Sequence, residues 1–100
     1  MTASEYSVYI LRCADGSLYT GIAADLRRRL KEHERSPRGA KYLRGRGPFE
    51  LVYSAHVGDR SLASRYEYQI KKLRREDKQA LIDGELPLQA ILDVQVSAAG

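Results

Sequence analysis

An Asp-Gly turn between two apolar, β-branched segments is the feature that most constrains the fold of this chain. Strands are predicted over Ser7–Ala14 and Ser17–Gly21, with Asp15-Gly16 at the turn between them. Asp-Gly readily supplies the positive φ angles that a tight hairpin requires. Such a hairpin would set the phenol groups of Tyr9 and Tyr19 side by side, and Gly21 would allow a close approach to the backbone at its end.

An arginine-rich helix is predicted directly after the hairpin, over Asp25–Glu34, with the aspartate as its N-terminal cap. Leu26, Leu30 and His33 recur at helical spacing and are expected to form its inner face. Arg29 lies four residues before His33, so the two side chains share one face of the helix. The helix would therefore bring a guanidinium and an imidazole toward the two tyrosines.

The remaining elements are one strand and two helices. A strand is predicted over Phe49–Val57, a helix from a cap at Asp59 or Ser61 to about Leu73, and a last helix over Arg75–Ile82. The order β-β-α-β-α-α predicts an α+β fold, in which a small three-stranded antiparallel sheet is flanked by helices.

One hundred residues leave room for a single domain. We expect it to span residues 1–83, followed over residues 84–100 by a tail that is a short strand or is otherwise packed, and that frays at its end. The single cysteine, Cys13, indicates a reducing compartment. Neither a signal peptide nor an apolar span of ~20 residues is visible, so a cytoplasmic protein without membrane contact, a monomer or weak dimer, is expected.

Positive charge is unevenly distributed along the chain. The net charge is +4, but the cations crowd into Arg27–Arg46 and Lys71–Lys78. Such clusters suit a polyanion, usually nucleic acid. The candidate phosphate contacts are Arg28 on the first helix and four cations of the Gly- and Pro-containing loop Ser36–Pro48, namely Arg38, Lys41, Arg44 and Arg46. The alternative interpretation is that these charges are solvated faces without a partner.

The two tyrosine segments resemble the paired motifs of the GIY-YIG nuclease superfamily. Ser7-Val8-Tyr9 matches the first motif and Tyr19-Thr20-Gly21 the second, with the spacing that the hairpin of that family requires. The resemblance continues through Arg29 and His33 to Glu67 in the helix after the third strand. It covers the chain to about residue 82, and is closest to the small stand-alone bacterial members.

This resemblance implies a metal-dependent endonuclease that hydrolyses phosphodiester bonds in DNA, with Mg²⁺ or Mn²⁺ as cofactor and a role in repair or recombination. RNA is a second candidate substrate. Glu67 resembles the metal ligand, Tyr9 the residue that activates the attacking water, and Tyr19 the residue that orders water or phosphate. Arg29 resembles the arginine that neutralises the phosphate, and His33 matches a position with an acid/base or orienting role.

Two alternatives to this function stay open. Many members of the superfamily carry an asparagine near the end of the core, whereas this chain contains none. The chain would then be a nucleic-acid-binding module that cleaves weakly or not at all. Its small size also fits a catalytic subunit that needs a protein partner to reach its substrate. For Glu67 itself, the alternative role is a surface ion pair with Lys71, four residues further along the helix.

Overall fold

The computed structural model describes residues 5–35 and 47–92. Its elements are β1 (Tyr6–Arg12), β2 (Leu18–Ala23), α1 (Leu26–Arg35), β3 (Glu50–Gly58), α2 (Arg60–Lys72) and α3 (Arg75–Ile82). The three strands form one antiparallel sheet in the order β2-β1-β3, so β1 is the central strand. This architecture confirms the predicted α+β fold with the order β-β-α-β-α-α.

The hairpin between β1 and β2 forms as the Asp-Gly pattern predicts. Gly16 adopts a φ of 87°, a conformation that costs glycine little because it has no Cβ atom. The Asp15 carboxylate accepts hydrogen bonds from the backbone N–H and the hydroxyl of Ser17, at 3.0 and 2.6 Å. Pairing then continues beyond the predicted end of β2 at Gly21, because Ala23 still pairs with Ser7.

Aspartates cap the first two helices and set where they begin. The Asp25 carboxylate accepts a hydrogen bond from the N–H of Arg28 at 3.1 Å, as predicted. The Asp59 carboxylate accepts from the N–H of Leu62 at 2.9 Å, so Asp59 rather than Ser61 is the cap of α2. Each bond satisfies a backbone donor that the helix itself leaves unpaired.

Alternate residues of β1 enter two separate hydrophobic cores, because successive side chains of a strand point to opposite faces. On one face, Val8 and Ile10 are fully buried against α2, α3 and the helical residues 88–92. On the other face, Tyr9 and Leu11 pack with the two leucines of the predicted inner face of α1. The sheet is therefore the middle layer between α1 and the later helices.

The C-terminal tail is helical over residues 88–92, so the strand alternative is wrong for this part of it. Pro87 precedes this helical segment, and its carbonyl accepts a hydrogen bond from the N–H of Ala90 at 3.0 Å. Proline suits such a position because its fixed φ already matches a helix. Ile91 is only 4% exposed and joins the core of Val8 and Ile10. Among the described helices, none combines the length and apolar character needed to cross a membrane.

At Gly21, β2 leaves space for the side chain of Tyr9 from β1. Gly21 pairs with Tyr9 across the hairpin, and the phenol end of Tyr9 occupies the space that a side chain at residue 21 would need. A Cβ atom at residue 21 would meet the Tyr9 hydroxyl oxygen at 2.7 Å and the Tyr9 Cζ at 2.8 Å. The absence of a side chain at Gly21 thus fixes where the Tyr9 ring can lie.

We expect Gly21→Ala to lower the free energy of unfolding by about 1–3 kcal/mol, the usual cost of overpacking a core. Urea denaturation followed by circular dichroism measures this change. The matched control places the same substitution in a Tyr9→Leu background, where the ring is missing and the cost of the added methyl should shrink. An equal cost in both backgrounds would show that the methyl does not act through the Tyr9 ring.

Candidate active site

Three rings meet on the α1 side of the sheet, contributed by β1, β2 and α1. The ring centroids of Tyr9 and Tyr19 are 6.4 Å apart, and those of Tyr19 and His33 are 5.7 Å apart in an edge-to-face arrangement. Tyr9 is 1% exposed and His33 8% exposed, whereas Tyr19 is half-buried. The hairpin thus sets the two phenols close together, as predicted, and α1 brings His33 against both.

A buried hydrogen bond of 2.7 Å joins the Tyr9 hydroxyl to Nε2 of His33. Burial raises the pKa of Tyr9 and, together with the Arg29 charge, lowers the pKa of His33, because burial disfavours the charged form of each group. At neutral pH the phenol is therefore protonated and the imidazole neutral. It follows that the Tyr9 hydroxyl donates and Nε2 accepts, which leaves the imidazole proton on Nδ1.

Arg29 reaches the same cluster from α1. Burial raises the pKa of Tyr9, and the positive charge of the Arg29 guanidinium acts against this effect and lowers it. Nη1 of Arg29 donates to Oε1 of Glu32 at 2.8 Å. The hydrogen bond to Glu32 raises the pKa of Arg29, so the guanidinium stays charged and is held in one orientation.

Glu32 is the residue of this site that the sequence did not predict. Its second carboxylate oxygen lies 3.6 Å from Nε of Arg28, whose side chain is 73% exposed, while that of Arg29 is 32% exposed. The spacing of three or four residues on one helix is a usable signal for such pairs. Here the signal is ambiguous, because Arg27, Arg28 and Arg29 all precede Glu32 by three to five residues.

Glu67 on α2 completes the set of predicted residues. Burial raises the pKa of both Tyr9 and Tyr19, and the negative charge of the Glu67 carboxylate adds to this effect at each phenol. Its Oε2 also lies 3.2 Å from Nζ of Lys71, which is the ion pair that the sequence offered as the alternative role. The two roles do not exclude each other, since a carboxylate has two oxygens.

The donor set suits a metal that relies on its substrate and on water for most of its ligands. In the described ranges 5–35 and 47–92, no three His, Cys, Asp or Glu side chains form a ready-made metal site. Mg²⁺ nevertheless binds proteins through as few as one or two carboxylates, with waters and substrate phosphates completing its octahedron. Glu67, with 24% of its side chain exposed, fits that arrangement.

The structure brings together five of the predicted residues, namely Tyr9, Tyr19, Arg29, His33 and Glu67. Arg28 lies at the outer edge of this group, on the exposed side of α1. The other four predicted nucleic-acid contacts, Arg38, Lys41, Arg44 and Arg46, lie outside the described residues.

Comparison with known families places most of the chain in one of them. Residues 5–80 match the family model of the GIY-YIG catalytic domain. This range contains both strands of the hairpin, α1, β3 and α2, and therefore Tyr9, Tyr19, Arg29, His33 and Glu67. The chain belongs to the GIY-YIG domain family, a family of nucleases.

Relatives with the same overall size carry the family name UPF0213. The chain is 48% identical to a UPF0213 protein of Cronobacter sakazakii over 87% of its own length and 90% of that protein. It is 52% identical to the UPF0213 protein YhbQ of Escherichia coli K12 over 75% of its own length and 74% of that protein. The similarity thus spans most of this chain and most of each relative.

Solved structures with the same fold include a UPF0213 protein of Bacillus halodurans, determined by solution NMR. It is 48% identical, covers 79% of this chain and 83% of its own, and superposes with a TM-score of 0.52. A protein of E. faecalis, also solved by solution NMR, is 34% identical and covers 84% and 90% with a TM-score of 0.58. Both comparisons support the fold described above.

The environment of His33 predicts a specific dependence on pH. The folded protein holds the imidazole proton less tightly than the unfolded chain, whose histidine pKa is about 6.5. His33 therefore contributes stability that is present above about pH 6.5 and is lost as the pH falls through its lowered folded pKa. NMR titration of the His33 ring protons should give a pKa below ~6.5.

Urea denaturation supplies the companion measurement. Between ~pH 7.5 and ~pH 5, the parent should lose more stability than His33→Gln, which carries no titrating ring. A His33 pKa at or above that of free histidine would contradict the assignment of a neutral imidazole facing Tyr9.

Proposed function

We propose that this chain is a divalent-metal-dependent endonuclease that hydrolyses phosphodiester bonds in DNA. The observation that supports it most is the convergence of two phenols, a neutral imidazole, a fixed guanidinium and a carboxylate from β1, β2, α1 and α2. These groups supply the three functions that the reaction needs: a phosphate anchor, a proton acceptor and a metal ligand.

Arg29 is the proposed phosphate anchor. A guanidinium offers a planar fork of N–H donors that matches two phosphate oxygens. Glu32 already binds one nitrogen of that fork, so less rotamer freedom remains to be lost on binding. Because the side chain is one third exposed, at 32%, a phosphate can reach it. Glu32 acts in this proposal as the positioning residue of Arg29.

Tyr9 and His33 are proposed to act together as the proton acceptor. A phenol with a raised pKa is a poor acceptor on its own, since it already carries its proton. His33 Nε2 lies 2.7 Å from the hydroxyl and is neutral. As Tyr9 Oη takes a proton from the attacking water, its own proton passes to Nε2, and the Arg29 charge favours the phenolate character of Tyr9 along the way.

Access to this pair determines the role of Tyr19. Solvent reaches only 1% of Tyr9, so the water must arrive past its half-buried neighbours. Tyr19 is the more accessible phenol and carries a hydroxyl that both donates and accepts hydrogen bonds. We assign to it the ordering of the attacking water or of the phosphate oxygen.

Glu67 is the proposed metal ligand, for Mg²⁺ or Mn²⁺. When bound, such an ion stabilises negative charge on the phosphoryl and leaving oxygens. The carboxylate lies on α2 with its charge acting on both phenols, so the metal, the phosphate anchor and the proton acceptor would share one opening. A role in DNA repair or recombination is part of the proposal, and RNA is the second substrate to test.

Two other functions are separated from this one by cleavage assays on nicked, branched, single-stranded and duplex DNA. Binding without metal-dependent cleavage of any substrate would favour the nucleic-acid-binding module. Cleavage that appears only after addition of cell extract would favour a catalytic subunit with a protein partner. The lack of asparagine in the chain is the observation that keeps the binding module under consideration.

We expect Glu67→Gln to lower the rate of cleavage by about 10²–10⁴-fold, because a metal contributes several kcal/mol to the transition state and each ~1.4 kcal/mol is tenfold in rate. Glutamine keeps the size of the side chain and removes the charge that holds the metal. The measurement is single-turnover cleavage of a labelled substrate over a range of Mg²⁺ concentrations.

Lys71→Gln is the matched control for Glu67→Gln. It breaks the same 3.2 Å ion pair from the other side and leaves the carboxylate in place. If the ion pair alone mattered, both variants would lose the same activity and stability. Cleavage by Glu67→Gln at the parental rate would overturn the assignment of Glu67 as metal ligand.

Arg29→Ala should lower mainly the rate of cleavage, whereas Arg28→Ala should lower mainly the affinity for the substrate, although each removes one positive charge. Arg29 faces Tyr9, so its loss should lower the single-turnover rate by about 10²–10³-fold, as for other preorganised donors. Arg28 is 73% exposed, so its loss should weaken binding and leave the rate of bound substrate nearly unchanged. Binding is measured with Ca²⁺ in place of Mg²⁺. Equal single-turnover rates for the two variants would contradict the placement of Arg29 in the site.

A further inference from the structure

The outward face of α2 carries a line of cations around one exposed aromatic ring. Arg60, Ser64, Tyr68 and Lys72 recur every four residues, so they stack along one side of the helix. All four are exposed. The buried residues of α2 lie on its other side and pack against the sheet. We call the outward face, with Arg60, Arg65, Tyr68 and Lys72, the α2 face.

Tyr68 is the centre of the α2 face. It is 61% exposed, more than any other large apolar side chain of the described residues. Nζ of Lys72 lies 4.9 Å from the centroid of its ring, which is a cation–π distance. One side of the ring is thus supported by a cation. The tyrosine therefore presents a flat, preoriented surface to the solvent.

The cations of the α2 face have no carboxylate partner among the described residues. In residues 5–35 and 47–92, neither Arg60, Arg65 nor Lys72 forms an ion pair, whereas Lys71 and Arg74 do. A groove of about 660 Å³ runs along this face between α2 and Leu92. Its lining among the described residues includes both arginines, two serines and Tyr68, and none of these described residues is acidic. The charge of the groove is complementary to a polyanion.

We propose that the α2 face binds a single-stranded segment of nucleic acid, with one base stacked on Tyr68 and phosphates at Arg60, Arg65 and Lys72. An exposed aromatic ring within a cationic groove is the arrangement that binds single strands, because unpaired bases offer a free π-face. Duplex bases are already stacked on one another and cannot reach such a ring. The biological setting of this inference rests on the proposed nuclease function. Its physical basis, an exposed ring among cations, does not.

The position of the α2 face links it to the candidate active site. Tyr68 follows Glu67 directly in α2, and successive helix residues point ~100° apart with a rise of ~1.5 Å. The ring therefore lies beside the proposed metal ligand rather than inside the site. A strand whose phosphate lies at Arg29 and Glu67 would continue onto the α2 face with its neighbouring nucleotides.

The test is equilibrium binding of a fluorescein-labelled oligothymidylate and of a blunt duplex of equal length, followed by anisotropy in Ca²⁺. We expect Tyr68→Ala to raise the Kd for the oligothymidylate by about 5- to 150-fold, the range for loss of one base–aromatic stack. Tyr68→Phe keeps the ring and should bind nearly as the parent does. The Kd for the duplex should change little in either variant.

Two outcomes would overturn the proposal. If Tyr68→Ala kept the parental affinity for the oligothymidylate, Tyr68 would not stack on a base. The α2 face would then fit a protein partner instead. An equal loss on duplex and single strand would show that Tyr68 does not stack on an unpaired base. Because the ring is exposed, its removal should not unfold the protein, and urea denaturation of each variant checks this.

The charges of the α2 face give a second, independent measurement. Arg65→Gln should flatten the dependence of log affinity for the oligothymidylate on log salt by about 0.7, the value for one phosphate contact on a single strand. An unchanged slope would remove Arg65 from the contact. If Tyr68→Ala lowers single-strand affinity while the parent cleaves no DNA, the α2 face stands and the proposed nuclease function fails.

Discussion

The contact between the Tyr9 ring and the backbone of Gly21 is the constraint on which the rest of the site depends. Cross-strand pairing places the two residues opposite each other, and the missing side chain lets the ring lie over β2. From this position its hydroxyl meets His33, while Tyr19 and Arg29 surround the ring. A register shift by one residue would turn Tyr9 into the opposite core. The chemistry of the site is thus set first by the hairpin and only then by α1.

Burial acts in opposite directions on the two members of the Tyr9–His33 pair. It keeps the proton on the phenol and off the imidazole, so the resting pair is neutral although Arg29 lies beside it. A neutral pair needs no counter-ion and is compatible with the 1% exposure of Tyr9. Glu32 in turn balances the charge of Arg29. The resting site therefore holds Tyr9, His33 and Arg29 at low electrostatic cost, in the protonation states that the proposed mechanism uses.

Local sequence patterns predicted the structural features that are set by residues close together in the chain. The Asp15-Gly16 turn and the Asp25 cap have short-range causes, and both are confirmed. The partner of Arg29 could not be predicted, because helical spacing allows Glu32 several arginines, and in the structure it pairs with both Arg29 and Arg28. The helical residues 88–92 were also missed, since their weak alternation fits a strand and their burial depends on the distant Val8–Ile10 core.

β1 also ties the stability of the site to that of the whole fold. Its residues alternate between the core beneath α2 and α3 and the core beneath α1, so loss of β1 would disrupt both cores at once. Motion of β1 therefore cannot expose the site without also disturbing the opposite core. Access to the buried phenol has to come from motion of side chains or of α1, which packs on this face through Leu26 and Leu30. In a nuclease built in this way, rapid local motions would admit the substrate. Inactivation would instead require slow, cooperative unfolding of the whole fold.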